Sequence, residues 1–136
     1  MTTCGIEMNG SEARLVLLDG DKSSFSHTDV KPKKLKLTDD ESPEEVRAFR
    51  DSIFAFFREN NVTLIAIKKR GKKGDYSGGP VGFKLEGIIQ LYEDCPVRIV
   101  APQTIAAARK KDSPDRPITL FKYQYNAFET AYTVLQ

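Results

Sequence analysis

The stretch from Cys4 to Leu18, CGIEMNGSEARLVLL, decides the fold and places an acid where an apolar strand ends. Apolar side chains alternate from Thr3 to Met8 and predict a half-buried strand, and Asn9-Gly10 is a strong signal for a two-residue hairpin turn. The return strand is predicted over Ala13 to Leu18. Glu7 therefore stands near the end of the first strand, where burial of a carboxylate is costly unless a partner or a metal stabilises it. This position predicts a site.

The rest of the chain alternates strands with helices. KKLKLT (33–38) predicts an edge strand with lysines on its wet face, which completes a three-strand meander, and DKSSFSHTDVKP (21–32) before it predicts a loop. A helix is predicted from Ser42, which caps it, with Pro43 in the first position and Glu45 completing a capping box. VTLIAIKK (62–69) and CPVRIVAP (95–102) predict parallel strands, and helices are predicted from Pro80, from Pro102 and within residues 123–136.

Composition restricts the class of protein. The 136 residues are 40% hydrophobic and 29% charged, which predicts one globular domain over 1–136. The net charge of +2 is too small to indicate a partner by itself. Cys4 and Cys95 are expected to be structural thiols, and no signal-peptide or membrane-span pattern is visible, so a cytoplasmic protein without membrane contact is expected.

The order of these elements, together with two sequence blocks, resembles the ribonuclease H-like fold in its RuvC-type resolvase branch. The blocks are CGIEMNGSEARLVLL and LIAIKKRGKKGDYSGGPVGFKLEGIIQLYEDCPVRIVAPQTIAAARKK. The resemblance implies an α/β domain with a mixed five-stranded sheet, made of a three-strand antiparallel meander plus two parallel strands, flanked by helices. It also extends to a group of short uncharacterised bacterial proteins.

The resemblance implies a nuclease site in which carboxylates hold two divalent cations and a phosphodiester is hydrolysed between them. Glu7 matches the acid of the first strand, but Lys68, or Lys69, stands where the fourth strand should supply an acid. Asn126 and Glu129 match the pair on the terminal helix. Glu7 and Glu129 are therefore the candidate catalytic and metal-binding residues of a degenerate site, which is expected to hold no cofactor or, at most, one weakly bound Mg²⁺.

Other interpretations of these residues remain open. An ion pair of Lys68 with Glu7 or Glu129 would replace the metal and leave a structural polar cluster. Glu7 could instead be held by the backbone amides of Gly10 or Ser11. Asn126 and Glu129 are also compatible with the solvated face of an ordinary amphipathic helix.

A basic, glycine-rich segment follows the fourth strand. Its candidate nucleic-acid-binding residues are Lys69, Arg70, Lys72, Lys73 and Tyr76. A plain solvated loop is the alternative. The sequence thus predicts a RuvC-like protein associated with DNA or RNA, with an inactive site and, from the resemblance, a homodimer. The alternatives are a residual one-metal Mg²⁺-dependent nuclease and a protein-interaction scaffold without a nucleic-acid role.

Overall fold

The computed structural model describes residues 1–70 and 79–136. Its strands are β1 (Thr2–Asn9), β2 (Glu12–Asp21), β3 (Ser24–Thr28), β4 (Lys34–Lys36), β5 (Val62–Lys68) and β6 (Val97–Val100). Its α-helices are α1 (Pro43–Glu59), α2 (Pro80–Gln90), α3 (Pro102–Asp112) and α4 (Tyr125–Thr133), and a 3-10 turn at Lys122–Gln124 leads into α4. The Ser42 hydroxyl accepts a hydrogen bond from the Glu45 amide, as the predicted cap requires.

The strands form one mixed sheet in the order β3-β2-β1-β5-β6, with β4 also paired to β2. The β1–β2 pair is antiparallel, whereas the β1–β5 and β5–β6 pairs are parallel. This topology confirms the predicted ribonuclease H-like arrangement of an antiparallel meander plus two parallel strands. The described part of the sheet has six strands rather than five, because β3 forms in the polar stretch that the sequence predicted as a loop.

The first hairpin differs by one residue from the predicted turn. Asn9 pairs with Glu12, so the two turn residues are Gly10 and Ser11, and Gly10 has the positive φ of +58° that such turns need. β2 also continues through Gly20 to Asp21 instead of ending at Leu18, because it pairs with β3 over this length. The change of turn decides which residue lies opposite Glu7.

Side chains of β1 alternate between two helical layers. Cys4, Ile6 and Met8 belong to a core that includes buried residues of α1 and α2. On the opposite face Gly5 lies against α4, where a Cβ atom would collide with the Ala127 carbonyl and with Ala131. Because Glu7 shares the face of Gly5, the close approach of α4 brings the helix to the Glu7 carboxylate.

Within residues 1–70 and 79–136, none of the helices has the length and apolar character required to cross a bilayer.

Candidate functional site

The structure brings together Glu7 and Asn126, two of the residues that the sequence predicted for a site. Asn126 lies in the first turn of α4, and its Nδ2 donates a hydrogen bond of 2.7 Å to Oε2 of Glu7. The Glu7 side chain is largely buried, at 15% exposure. A hydrogen bond from an amide to a carboxylate in this setting holds the Glu7 side chain in place without any metal.

An arginine stands on the other side of the Glu7 carboxylate. Arg14 lies directly opposite Glu7 in the β1–β2 register, with Nη1 3.7 Å from Oε1. The same guanidinium makes a 2.9 Å contact from Nε to Oε2 of Glu12. Oε1 of Glu7 is buried and accepts no hydrogen bond. The hydrogen bonds of the described residues include none from the Gly10 or Ser11 amides to Glu7, so that alternative expectation is not met.

Glu129 is held by a different pair of arginines. It is buried one helical turn beyond Asn126, with its side chain only 8% exposed. Arg109 from α3 places Nη1 3.1 Å from Oε1, and Arg116 places Nη2 3.8 Å from Oε2. The Arg116 guanidinium also lies over the Tyr125 ring, 4.1 Å from its centroid. Glu129 is therefore not part of the solvated face of an ordinary amphipathic helix.

Lys68 does not form the ion pair with Glu7 or Glu129 that the sequence left open as an alternative. It is the last residue of β5 and is half-buried, and it makes no ion pair within 4.0 Å to any acid in the described part of the chain. Among the described residues, the ion pair with Glu7 is made by Arg14 from β2 instead. Sequence reasoning missed Arg14, Arg109 and Arg116 because each comes from a different segment, and none belongs to a recognisable motif.

The basic segment is described only at its start. Lys69 is exposed, and its backbone amide bonds to the Val100 carbonyl at 2.8 Å. Arg70 packs against Gly82 and over the Phe83 ring, 5.6 Å from its centroid. Burial lowers the pKa of Arg70, while the charges of Glu86 and Glu7 act in the opposite direction. Lys72, Lys73 and Tyr76 lie outside the described residues.

The donor set around Glu7 and Glu129 does not fit a pair of divalent cations. Such a pair needs several hard anionic oxygens directed at the metals, and here each carboxylate is already paired with guanidinium or amide N–H groups. Three arginines balance Glu7, Glu12 and Glu129. In residues 1–70 and 79–136, no group of three or more His, Cys, Asp or Glu side chains could hold a metal ion. Chemically, the arrangement consists of two sets of arginine–carboxylate ion pairs, one at Glu7 and one at Glu129.

Comparison with solved structures finds the same fold in Holliday junction resolvases. The structure of Thermus thermophilus RuvC has a TM-score of 0.74 at 12% identity, covering 98% of this chain and 92% of that one. The same protein in complex with a Holliday junction substrate has a TM-score of 0.67 at 14% identity, with coverages of 98% and 92%. A fowlpox virus resolvase with its Holliday junction DNA has a TM-score of 0.58 at 15% identity, with coverages of 96% and 94%.

The TM-scores show a shared fold, which agrees with the RuvC-like topology of the sheet, and at identities of 12–15% the likeness extends to the fold alone. No curated protein gives a significant match to the sequence. One protein-family model does match, over residues 1–134, which is nearly the whole chain, and its description is "Protein of unknown function (DUF3010)". The chain belongs to that family.

Proposed function

We propose that this protein binds nucleic acid and does not cleave it, its nuclease site having become an arginine–carboxylate cluster. The observation that carries the proposal is the pairing of both site carboxylates: Glu7 with the Asn126 amide and Arg14, and Glu129 with Arg109 and Arg116. A metal ion would have to displace these N–H groups, each of which lies within 4 Å of a carboxylate oxygen.

Charge opposes metal binding here. Hydrolysis by two cations depends on placing them about 4 Å apart to clamp the attacking and leaving oxygens. At that separation each unit charge contributes about 4 kcal/mol at an effective dielectric of 20, so the guanidinium groups beside Glu7 and Glu129 offset the attraction of these carboxylates for a dication. A single Mg²⁺ on Glu7 and Glu129 remains the competing proposal, and it predicts residual cleavage.

The side of the molecule where Glu7 lies also carries cationic groups from β5 and the residues that follow it. β1 and β5 are parallel, so their carboxyl ends share one edge of the sheet, and β5 ends there in Lys68 followed by Lys69 and Arg70. Two proteins of the same fold are described in complex with Holliday junction DNA. These features together support a phosphate-binding edge built on the old site.

The test is salt-dependent binding of a labelled four-way junction and of a duplex of matching sequence, measured by fluorescence anisotropy between 50 and 200 mM salt. Lys68→Ala combined with Lys69→Ala is expected to lower the magnitude of the log K against log salt slope by about 2, because about one counterion is released per phosphate contact. Arg47→Ala combined with Arg50→Ala removes equal charge from α1, on the other face of the sheet, and should leave the slope unchanged.

Cleavage assays separate the proposal from its alternatives. Incubation with Mg²⁺ or Mn²⁺ is expected to leave the junction intact. If the junction is cut, and Glu7→Gln abolishes the cutting, the residual nuclease is correct and the proposal is wrong. Absence of binding even at 50 mM salt would favour a protein-interaction scaffold. A homodimer stays a prediction, to be checked by sedimentation equilibrium.

A further inference from the structure

An open recess of about 630 Å³ lies beside the carboxylate cluster, between the β3–β4 connection and the segment that precedes α4. Its lining consists of Lys31, Pro32, Lys33, Lys34, Phe121 and Tyr123. No sequence motif indicated these residues as a group, and the fold alone does not account for them, because the large apolar side chain of Phe121 is 54% exposed. An exposed apolar patch with a polar rim is typical of a binding surface.

The rings of Phe121 and Tyr123 stack on each other in the recess, and this pair is called the aromatic platform. The rings are nearly parallel, with an interplanar angle of 8° and centroids 5.7 Å apart. Parallel, offset rings are the geometry in which a further planar group extends the stack. The platform therefore suits a planar aromatic ligand.

A buried glutamine fixes the platform to the sheet. Oε1 of Gln124 accepts a hydrogen bond of 3.0 Å from the Phe121 amide, and its Nε2 donates one of 3.0 Å to the Leu15 carbonyl of β2. Gln124 is only 1% exposed. Because the turn is held in place before any ligand arrives, binding there requires little ordering of the protein.

Cationic groups surround the platform. Lys34 Nζ lies 4.9 Å from the Tyr123 centroid, and Lys33 Nζ lies 5.8 Å from that of Phe121. Lys33 is paired with Asp29 at 2.8 Å, whereas Lys31 and Lys34 have no acid within 4.0 Å among the residues that the structure describes. Arg14 lies over the Tyr123 ring at 5.7 Å and also contacts Glu7 at 3.7 Å. The ligand should therefore be both planar and anionic.

We infer that the aromatic platform stacks an unpaired base of single-stranded nucleic acid, with the adjacent phosphates at Lys31 and Lys34. This inference rests on the proposed function and adds to it a preference for unpaired nucleotides. Every base offers a π-face to an aromatic side chain, and backbone phosphates complement the lysines. An acidic peptide would use the lysines but would leave the parallel rings without a planar partner.

The chain contains no tryptophan, so Phe121→Trp places a single fluorescent reporter on the platform while preserving an aromatic ring. Titration of this variant with a 12-nucleotide oligothymidylate at 50 mM salt is expected to quench the tryptophan emission. The duplex of the same length should quench it far less.

Affinities for the single strand and the duplex are then measured for variants that lack the Phe121→Trp substitution. Phe121→Ala combined with Tyr123→Ala should weaken binding of the single strand by about 10-fold or more and of the duplex by less than 2-fold. Leu91→Ala removes another exposed apolar side chain, at the end of α2, and should change neither affinity. Because Tyr123 is half-buried, its replacement can disturb the fold, so Phe121→Ala is also measured alone and a melting curve is recorded for every variant. The Phe121→Ala variant should keep the wild-type fold and still show part of the loss of affinity for the single strand.

Three results would overturn the inference. Equal losses for single strand and duplex would mean that the platform does not read unpaired bases, although nucleic-acid binding itself would stand. Quenching by a poly-glutamate peptide and not by oligothymidylate would identify an acidic peptide as the ligand. Absence of binding to the junction, the duplex and the single strand alike would remove the proposed function together with the inference.

Discussion

Replacing Asn126 by aspartate tests the polar cluster at its centre. In the native chain Asn126 Nδ2 donates to Glu7 Oε2 at 2.7 Å. The N126D variant loses this donor and gains a second carboxylate at hydrogen-bond distance from the first. Unless a proton or a cation is taken up, two like charges then face each other.

The expected loss of stability follows from these contacts. A hydrogen bond to a charged group contributes about 1.5–3 kcal/mol, and repulsion at 4 Å adds up to about 4 kcal/mol at an effective dielectric of 20. Asn126 is exposed and Arg14 is close to Glu7, so rotation toward water and the arginine charge reduce the sum to about 2 kcal/mol. For a chain of 136 residues this corresponds to a fall in Tm of about 6 °C.

The stability of the N126D variant should also depend on pH, and the direction of this dependence follows from the repulsion. Repulsion raises the pKa of one of the paired carboxyls, so the folded N126D variant binds a proton more readily than its unfolded chain. Its stability relative to wild type is therefore lowest near pH 7.5 and recovers as the pH falls toward 4.5. Thermal unfolding in EDTA, followed by circular dichroism at pH 7.5 and pH 4.5, measures the fall in Tm and its dependence on pH.

A double-mutant cycle measures the interaction energy between the residues at positions 7 and 126. In a Glu7→Gln background, Asn126→Asp should cost less than about 0.5 kcal/mol, because no second charge is present. An equal cost in both backgrounds, or no cost at pH 7.5, would refute the assignment of Asn126 as the partner of Glu7. Recovery of the N126D melting temperature on addition of Mn²⁺ would show, in addition, that the amide is what keeps a cation from this position.

Three further outcomes are expected. Gly5→Ala should lower the free energy of unfolding in urea by about 2–3 kcal/mol, because its Cβ would collide with the Ala127 carbonyl of α4; a neutral effect would contradict the packing of α4 on β1. Gln124→Leu leaves the Leu15 carbonyl and the Phe121 amide unpaired and should cost about 1–3 kcal/mol in the same assay. Burial lowers the pKa of His27 below its ordinary value of 6.5, so its contribution to stability is present above pH 6.5 and is lost as the pH falls through the lower folded value. Wild type should therefore lose more stability than His27→Gln between pH 7 and pH 5, and parallel pH curves for the two proteins would count against this.

The sheet order and the helix starts could be predicted because each has a local signal. Ser42 and Pro43 mark the start of α1, and Pro80 and Pro102 lie at the first positions of α2 and α3. β3 has no such signal, since its serines point to water and its place depends on the packing of Phe25 against Phe128 and Tyr132 of α4. A short edge strand of this kind is determined by tertiary contacts rather than by its own pattern.

The identity of the cation beside Glu7 depended on one residue of turn geometry. A turn centred on Asn9-Gly10 would set Glu7 opposite Glu12, whereas the observed Gly10-Ser11 turn sets it opposite Arg14. Both registers keep the same faces buried, so hydrophobic patterning does not distinguish them. Arg109 and Arg116 could not be predicted for a different reason. They are 20 and 13 residues from Glu129 in sequence, and only the tertiary structure brings them into contact with it.

Arg14 links the two surfaces proposed here and makes their chemistry mutually dependent. Its guanidinium contacts Glu7 and Glu12 and also covers the Tyr123 ring of the aromatic platform. A divalent cation on Glu7 would repel Arg14 and release it, while a phosphate near the platform would draw Arg14 away from Glu7. Metal-bound and arginine-bound forms of Glu7 therefore exclude each other. The 2.7 Å hydrogen bond from Asn126 stabilises the arginine-bound form, because it satisfies the carboxylate oxygen that Arg14 does not reach.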